Sequence, residues 1–537
     1  MHIEAIKASV KSLWSPCHPR YLIAFLCVCH ALASAADFFP KGSTSADLFT
    51  NIHRLRLEVS AESWSALQKN AREYVSATLF DGATKFEKVA VHLKGSSGSF
   101  RPLESKPALT LDFAHFDAAE RFHGLRRIHL NNSVEDPSCL NEYIGAEFFH
   151  RAGLPAPRVG HATLELNGRP LGLYVLKEAF TEDFLALHFK APSGTLYEPG
   201  PGHDINEKLS AKLGSGAKNQ NELRAFAEAA LEPDAKRRWH WLGKALEVRQ
   251  FARFMALEVI LNHRDGYCMA RNNFRLYEDS GSGLFYFFPT GMDQLFAKAD
   301  AQVFPQMSGL AAKALMETRE GLALYKGELF GMVTNVFDLA YFEKLMDRRV
   351  AQLKAVLTES EAKGLLAEAA ETKQRLEQRY AFLQQRLISV RLQEPRFNNG
   401  TASLTNWVIA RITRQGDLDI TTGPDGARAL HILAERGTAT AWRAELRLPQ
   451  GRYRFSASVA TKAVAMQTPV KNWGARLRAI GEGATRPISR DTPWTELGVD
   501  LQVTDIEKLI HFQCELRADK GEAWFRLDTL KITKLGD

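Results

Sequence analysis

The hydrophobic period of this chain changes twice along its length, and each change limits what the segment can become. From about Asn51 to Phe113 apolar residues alternate, as in Leu55, Leu57 and Val59 and again in Val89, Val91 and Leu93, which is the period of half-buried strands. Asp81-Gly82 predicts a hairpin turn between Val75–Leu79 and Phe86–Leu93, and Asn167-Gly168 predicts another between Ala162–Leu166 and Leu171–Leu176. Between them Asp136-Pro137-Ser138 opens a helix to about Arg151, closed by Gly153 and Pro155. Residues 48–180 therefore read as an antiparallel sheet carrying a single crossing helix. From Glu207 to Leu261 and from Ala311 to Leu392 the period becomes helical, so 181–392 reads as mostly helical. Period two returns after the linker-like 393–400, and 401–537, with strands such as Gly451–Val459 and Ala523–Ile532, reads as a β-sandwich, jelly-roll-like.

The two helical blocks enclose one polar window, Asp265 to Phe296, rich in aromatic residues. Asp265 and Asp293 flank Asn272 and Asn273, with strands expected at Phe274–Tyr277 and Leu284–Phe288. Such groups are costly to bury unpaired. An acid, a carboxamide and a second acid are the parts of a phosphoryl-transfer site: one carboxylate orients an acceptor hydroxyl, and the others hold Mg²⁺. His263-Arg264-Asp265 also spells the kinase catalytic-loop triplet, although Ala270 stands where that motif has asparagine. Upstream, Lys94 leads into Gly95-Ser96-Ser97-Gly98, flanked by Arg101 and Lys106, a turn whose N–H groups and charge suit phosphate oxygens. The stretch Ser193–Asp204 reads as a surface loop near this junction.

The net charge of +7 in 537 residues is too small and too dispersed to point to nucleic acid. Part of it lies at the start, where Lys7, Lys11 and Arg20 precede the apolar run Tyr21–Leu32 and the small triplet Ala33-Ser34-Ala35. Residues 1–35 thus read as a secretory signal, too short in its apolar run to span a membrane. Export implies a secreted, periplasmic or cell-surface protein with no membrane span once the signal is removed. Only Cys139, Cys268 and Cys514 remain beyond it, with neither metal spacing nor a disulfide framework.

Several ordered motifs resemble the CotH-type secreted atypical protein kinases, named for spore coat protein H. They are Leu93–Phe100, Ser105–Leu111, Gly153–Val159, Leu166–Glu178, Asp265-Gly266-Tyr267 with Asn272–Tyr277, and Gly291–Phe296. The resemblance covers roughly residues 50 to 390. It implies an α+β, bilobal kinase-like fold using ATP and Mg²⁺, with a protein acceptor at the cell surface or matrix. Asp265 would orient or deprotonate the acceptor hydroxyl, and Asp293 with Asn273, or Asn272 in its place, would hold the metal. Lys94 and Lys106 both qualify for the phosphates, with Glu142 or Glu147 as ion-pair partner, and Tyr174–Glu178 would meet adenine. Gly291, Thr290 and Arg264 depart from the pattern, which leaves open a catalytically inactive assembly protein. The C-terminal part resembles carbohydrate-binding jelly rolls in Ala523–Ile532, with Trp442, Trp473, Trp494 and Trp524 as stacking candidates for a polysaccharide.

Overall fold

The computed structural model describes residues 45–96, 98–190, 192–214, 220–392, 394–411, 413, 415–468 and 472–536. The expected signal at 1–35 and Ser97 lie outside the described residues. The fold is α+β and divides into two compact units, one running to Met316 and including Gly321–Tyr380, the other Ala381–Asp537 with Glu317–Glu320. That division falls within the helix Glu359–Leu392, upstream of 393–400.

The first unit begins with seven strands: β1 (Ile52–Val59), β2 (Val75–Asp81), β3 (Thr84–Lys94), β4 (Ala108–Asp112), β5 (Arg127–Asn131), β6 (Val159–Leu166) and β7 (Arg169–Glu178). The alternation of the sequence is visible in them, since Leu55, Leu57, Leu79, Val91, Leu111 and Leu130 all bury in one core. Each such side chain contributes roughly 1.5–3 kcal/mol relative to exposure. Both hairpins form where the turn residues place them. Leu166 pairs Arg169 across Asn167 (φ 49°) and Gly168 (φ 78°), the left-handed pair of a type I′ turn. Two expectations are corrected. The strands are not purely antiparallel but close into a barrel, ordered β1-β2-β3-β4-β5-β7-β6, sealed by parallel pairing of β1 with β6 in which Leu55 faces Leu164. Nor is there a single helix: α1 (Ala61–Lys69), capped by the Ser60 side chain, precedes the crossing helix α2 (Asn141–Arg151).

Helix α2 starts later than its Asp-Pro-Ser signal because Asp136 works as a cap from outside. Its Oδ2 accepts the Asn141 N–H at 2.8 Å, and its Oδ1 accepts from Ser138 Oγ at 2.5 Å. Beyond the barrel lie α3 (Glu182–His188), β8 (Thr195–Glu198), β9 (Ser210–Leu213), α4 (Asn221–Leu231), α5 (Ala235–Ala245), α6 (Val248–Ile260) and α7 (Tyr267–Ala270). Then come β10 (Phe274–Glu278), β11 (Phe285–Pro289) and the helices α8 (Leu310–Met316), α9 (Arg319–Gly331), α10 (Leu339–Lys354) and α11 (Glu359–Leu392). The reading of Ser193–Asp204 as a surface loop is corrected, because Thr195, Leu196 and Tyr197 are buried as β8 in a sheet ordered β11-β10-β8-β9. The helical reading from Glu207 likewise gives way to β9 over its first residues. Phe287 of β11 anchors that sheet against Phe251 and Phe254 of α6 at ring distances of 4.5 and 5.7 Å.

The second unit carries a ten-stranded sheet. Its strands are not all short: Thr438–Ala465 and Arg490–Ala518 run 28 and 29 residues, paired along their length with register shifts near Pro449–Gly451 and Val459–Val464. Such shifts are where a long strand bends. Trp442 and Trp524 are buried in this unit, and Trp442 Nε1 donates to the His431 carbonyl. Trp473 and Trp494 are half-buried. Among the described residues no helix is long and apolar enough to cross a membrane.

Candidate active site

The acid loop follows the C-terminus of α6, and two buried charged groups hold it there. Arg379 of α11, fully buried, donates to the carbonyls of Val259 (2.7 Å) and Ile260 (3.0 Å), and to those of Ala299 (2.9 Å) and Ala301 (2.7 Å). A guanidinium at a helix C-terminus satisfies carbonyls that the helix leaves open. Glu258, also fully buried, accepts the N–H groups of Tyr267 (2.9 Å) and Cys268 (2.8 Å), and its carboxylate lies against Gly266. Desolvation pushes Glu258 up to about 7 despite these bonds. His263 Nε2 bonds the Gly291 carbonyl at 3.0 Å, which ties the acid loop to the turn after β11. Burial pushes this imidazole down to about 4, so it is neutral at physiological pH and Nε2 is its donor.

Within that frame the chain reverses through α7 and Arg271 (φ 54°), bringing both amides back onto the acid. Asn272 Nδ2 and Asn273 Nδ2 donate to the same oxygen, Asp265 Oδ2, at 3.0 and 2.7 Å. The other oxygen, Oδ1, takes neither bond. Asp293 is placed from the opposite side, where Asn141 at the start of α2 donates through Nδ2 to its backbone carbonyl at 2.7 Å. The next residue of α2, Glu142, accepts from Lys177 Nζ of β7 at 3.2 Å. The same ammonium lies 3.3 Å from Thr290 Oγ1. Lys94 Nζ donates to Asn131 Oδ1 at 2.6 Å, and Asn131 Nδ2 donates to Glu142 Oε2 at 3.1 Å.

These groups line one cleft of about 330 Å³, and a second cavity of about 490 Å³ lies beside it. Both are bounded by Lys94, Lys177, Glu198, Arg275 and Thr290. The second chamber also has the Glu178–Phe180 segment, Leu196 and Tyr74 on its walls. Six acids line the first: Glu135, Asp136, Glu142, Glu198, Asp265 and Asp293. Burial, then the charges of Glu142 and Glu135, push Asp293 up to about 7. Burial, then the charge of Lys177, pushes Lys94 down to about 8. Crowded acids beside two ammoniums make a site that gains from a cation and a polyanion bound together.

The family model described as CotH kinase protein matches residues 91–404, more than half of the chain, and spans every residue of this cleft. The chain belongs to the CotH kinase protein family. It is 26% identical over 251 residues to inner spore coat protein H of Bacillus subtilis (strain 168), covering 42% of this chain and 68% of that protein. It is also 26% identical over 187 residues to invasin CotH2 of Rhizopus delemar, covering 31% of each. Among solved structures, a CBM61 module from a complex with β-1,4-galactotriose matches 27% of this chain and 95% of its own at 12% identity, with a TM-score of 0.18. A score of that size carries no argument here.

Not every residue singled out in this CotH chain reaches the cleft in the same way. Gly95 and Ser96 line it, and the Ser96 carbonyl accepts from Phe100 N–H at 2.8 Å, closing the loop on itself. Gly98 lies against the Glu135 carboxylate, and Arg101 is spent on the Gly98 and Phe100 carbonyls. Lys106 Nζ sits 5.1 Å over the Tyr174 ring, away from the acids. Glu178 is buried in a two-pronged ion pair with Arg158, at 2.9 and 2.6 Å. Glu147 instead accepts from Tyr341 Oη at 2.5 Å. The sequence reading did not single out Asn131, Glu135, Glu198 or Arg275, and it did not assign Lys177 to the phosphates. Lys177 ends the apolar run Leu173–Leu176, where a lysine closing a buried strand was the available signal; Glu135 left none. Of the departures, Gly291 has a steric reason: at φ 56° its missing side chain leaves the space that the Asn273 carboxamide fills. Arg264 is exposed and donates to Gln294 Oε1 at 3.2 Å.

Proposed function

We propose that this protein is a kinase that transfers the γ-phosphoryl group of ATP to a hydroxyl, most simply of a protein at a cell surface or coat. The observation that carries the reading is the meeting, in one cleft, of Asp265 with its two amide donors, Asp293, and the Lys177–Glu142 pair. The barrel and the helical part would then be the two lobes of a kinase-like fold. The donor set fits Mg²⁺, since Asp293, Glu142 and the carboxamide oxygens are all hard oxygen ligands and Asp293 is crowded by other acids. Asp293 and Asn273 would hold that ion, which when bound supplies positive charge to the phosphates. Lys177 and Lys94 would bind phosphate oxygens, and the chamber beside Glu178–Phe180 would take the base. Asp265 Oδ2 is steadied by two amides, which leaves Oδ1 to orient the acceptor hydroxyl and take its proton as its oxygen bonds the γ-phosphorus and the bond from that phosphorus to the ADP oxygen breaks. The spore-coat name of one relative and the invasin name of another favour a surface acceptor.

The test is transfer of labelled phosphate from ATP to proteins of the producing cell's surface fraction, with thermal stabilisation by Mg²⁺ and ATP read in parallel. Loss of transfer in Asp265→Ala and Asp293→Ala is expected. Transfer that survives both substitutions, or an unaltered protein that neither transfers nor gains stability, refutes the kinase reading and favours an assembly role. For the C-terminal unit we propose polysaccharide tethering through the half-buried Trp473 and Trp494. Full-length protein that shows no retention on any glycan of an array refutes it.

A further inference from the structure

A second cluster lies at one rim of the barrel, outside the cleft. His53 comes from β1, Asp81 ends β2, and His123 sits in the tight turn between Phe122 and Leu125, whose N–H and C=O groups bond reciprocally at 2.9 Å. His53 Nδ1 and His123 Nε2 each lie 2.8 Å from the same oxygen, Asp81 Oδ2. Among the described residues, these two imidazoles are the hydrogen-bond partners of that carboxylate, and neither a lysine nor an arginine pairs with it. The Asp81 side chain is 14% exposed, and those of His53 and His123 are 11% and 32% exposed. One potential ligand atom from each of the three residues lies within 4.8 Å of the others. His123 holds φ at 47°, a conformation that a histidine tolerates better than most side chains but that still costs energy. Phe122 packs edge-on against both rings, at 6.3 Å from His53 and 4.6 Å from His123, and so shields one side of the cluster.

We propose that His53, Asp81 and His123 form a binding site for a divalent transition-metal ion of the zinc class. Two imidazole nitrogens and one carboxylate oxygen are the donors that zinc takes at sites with three protein ligands, with the remaining position left to water. Magnesium and calcium are disfavoured because they take oxygen ligands. Ligands bonded at about 2.0–2.2 Å in a tetrahedron stand roughly 3.3–3.5 Å apart. The 2.8 Å contacts therefore need to open by about half an ångström on binding. The ion would join β1, the β2–β3 turn and the Phe122–Leu125 turn at a single point of the rim. It would also neutralise a largely buried carboxylate that otherwise has only two imidazoles beside it.

The test uses the full chain, dialysed against Zn²⁺ and assayed for bound metal, beside His123→Asn and Asp81→Asn. Asparagine tolerates the φ of His123, so that variant keeps the turn while removing the imidazole. The unaltered chain is expected to retain one zinc more than either variant, with affinity lowered at least about 100-fold in His123→Asn. The difference must persist in an Asp293→Asn background, which separates this site from the cleft, and must survive excess Mg²⁺. Co²⁺ should give the unaltered chain a ligand-field absorption of low-coordinate type. Equal zinc retention in all proteins, or no such absorption from the unaltered chain, overturns the proposal and leaves the cluster a hydrogen-bonded clasp.

Discussion

Replacing Asp293 by asparagine should stabilise the metal-free protein while removing its response to Mg²⁺. The acid is pushed from 3.8 to about 7, chiefly by burial and then by Glu142 and Glu135. A folded-state value raised above the unfolded one means that the native protein binds the extra proton between those limits. This acid's contribution to stability is therefore greatest below pH 4, declines as pH rises from about 4 to about 7, and stays reduced above that. Three units correspond to about 4 kcal/mol at most, and because the side chain is partly open to solvent we halve this to about 2 kcal/mol. Asparagine keeps the shape without the charge. The variant should thus match the unaltered protein near pH 4 and exceed it by about 2 kcal/mol at pH 8, a rise of roughly 4 °C in melting temperature for a unit of this size. Scanning fluorimetry across that range in EDTA reads the difference, and repeating it in Mg²⁺ should bring the unaltered protein up to the variant, which itself gains nothing. A pH-independent offset, or a variant less stable at pH 8, would refute the argument that acid crowding strains this cleft.

Other substitutions test the remaining parts. Asp265→Asn should lower phosphate transfer by about 10²–10⁴ with little change in ATP affinity, read by steady-state kinetics and calorimetry. Lys177→Met leaves Glu142 buried without its cation, so ATP binding should weaken at least tenfold and the urea midpoint should fall by the equivalent of about 3 kcal/mol. Arg379→Met strips donors from the carbonyls of buried Val259 and Ile260 and of half-buried Ala299 and Ala301, and should cost about 3–4 kcal/mol in urea unfolding; a cost under 1 kcal/mol would show that water replaces it. Gly291→Asp would collide with the Asn273 carboxamide, and should lower both the melting temperature and transfer, by about 1–3 kcal/mol of stability.

What could be read from the sequence was local. Asp81-Gly82 and Asn167-Gly168 announce their turns because two-residue hairpins need particular backbone angles, and the acids and amides of 265–293 stand out against aromatic neighbours. What could not be read depends on pairings between distant segments. Nothing near Leu55 announces Leu164 as its partner, so a sheet that closes looks the same as one that stays open. Strand β8 is only four residues set among Gly and Pro, and its burial comes from Leu276 and Tyr277 lying beside it. Lys94 and Lys106 looked equivalent because both flank the glycine loop; the packing of α2 separates them and brings in Lys177 through Glu142. Gly291 looked like a lost acid, whereas the chain uses its bare backbone to seat Asn273.

The parallel seam between β1 and β6 also governs how this molecule comes into being. Residues more than a hundred positions apart must meet before the ring is complete, and contacts of such long range are slow to form. Until Val159–Leu166 has been synthesised, β1 has a row of unpaired amides and carbonyls along one side, an invitation to any neighbouring strand. A nascent or truncated chain ending before Val159 is therefore the form of this protein most prone to aggregate, and recombinant fragments of the barrel should be cut no earlier than Glu178.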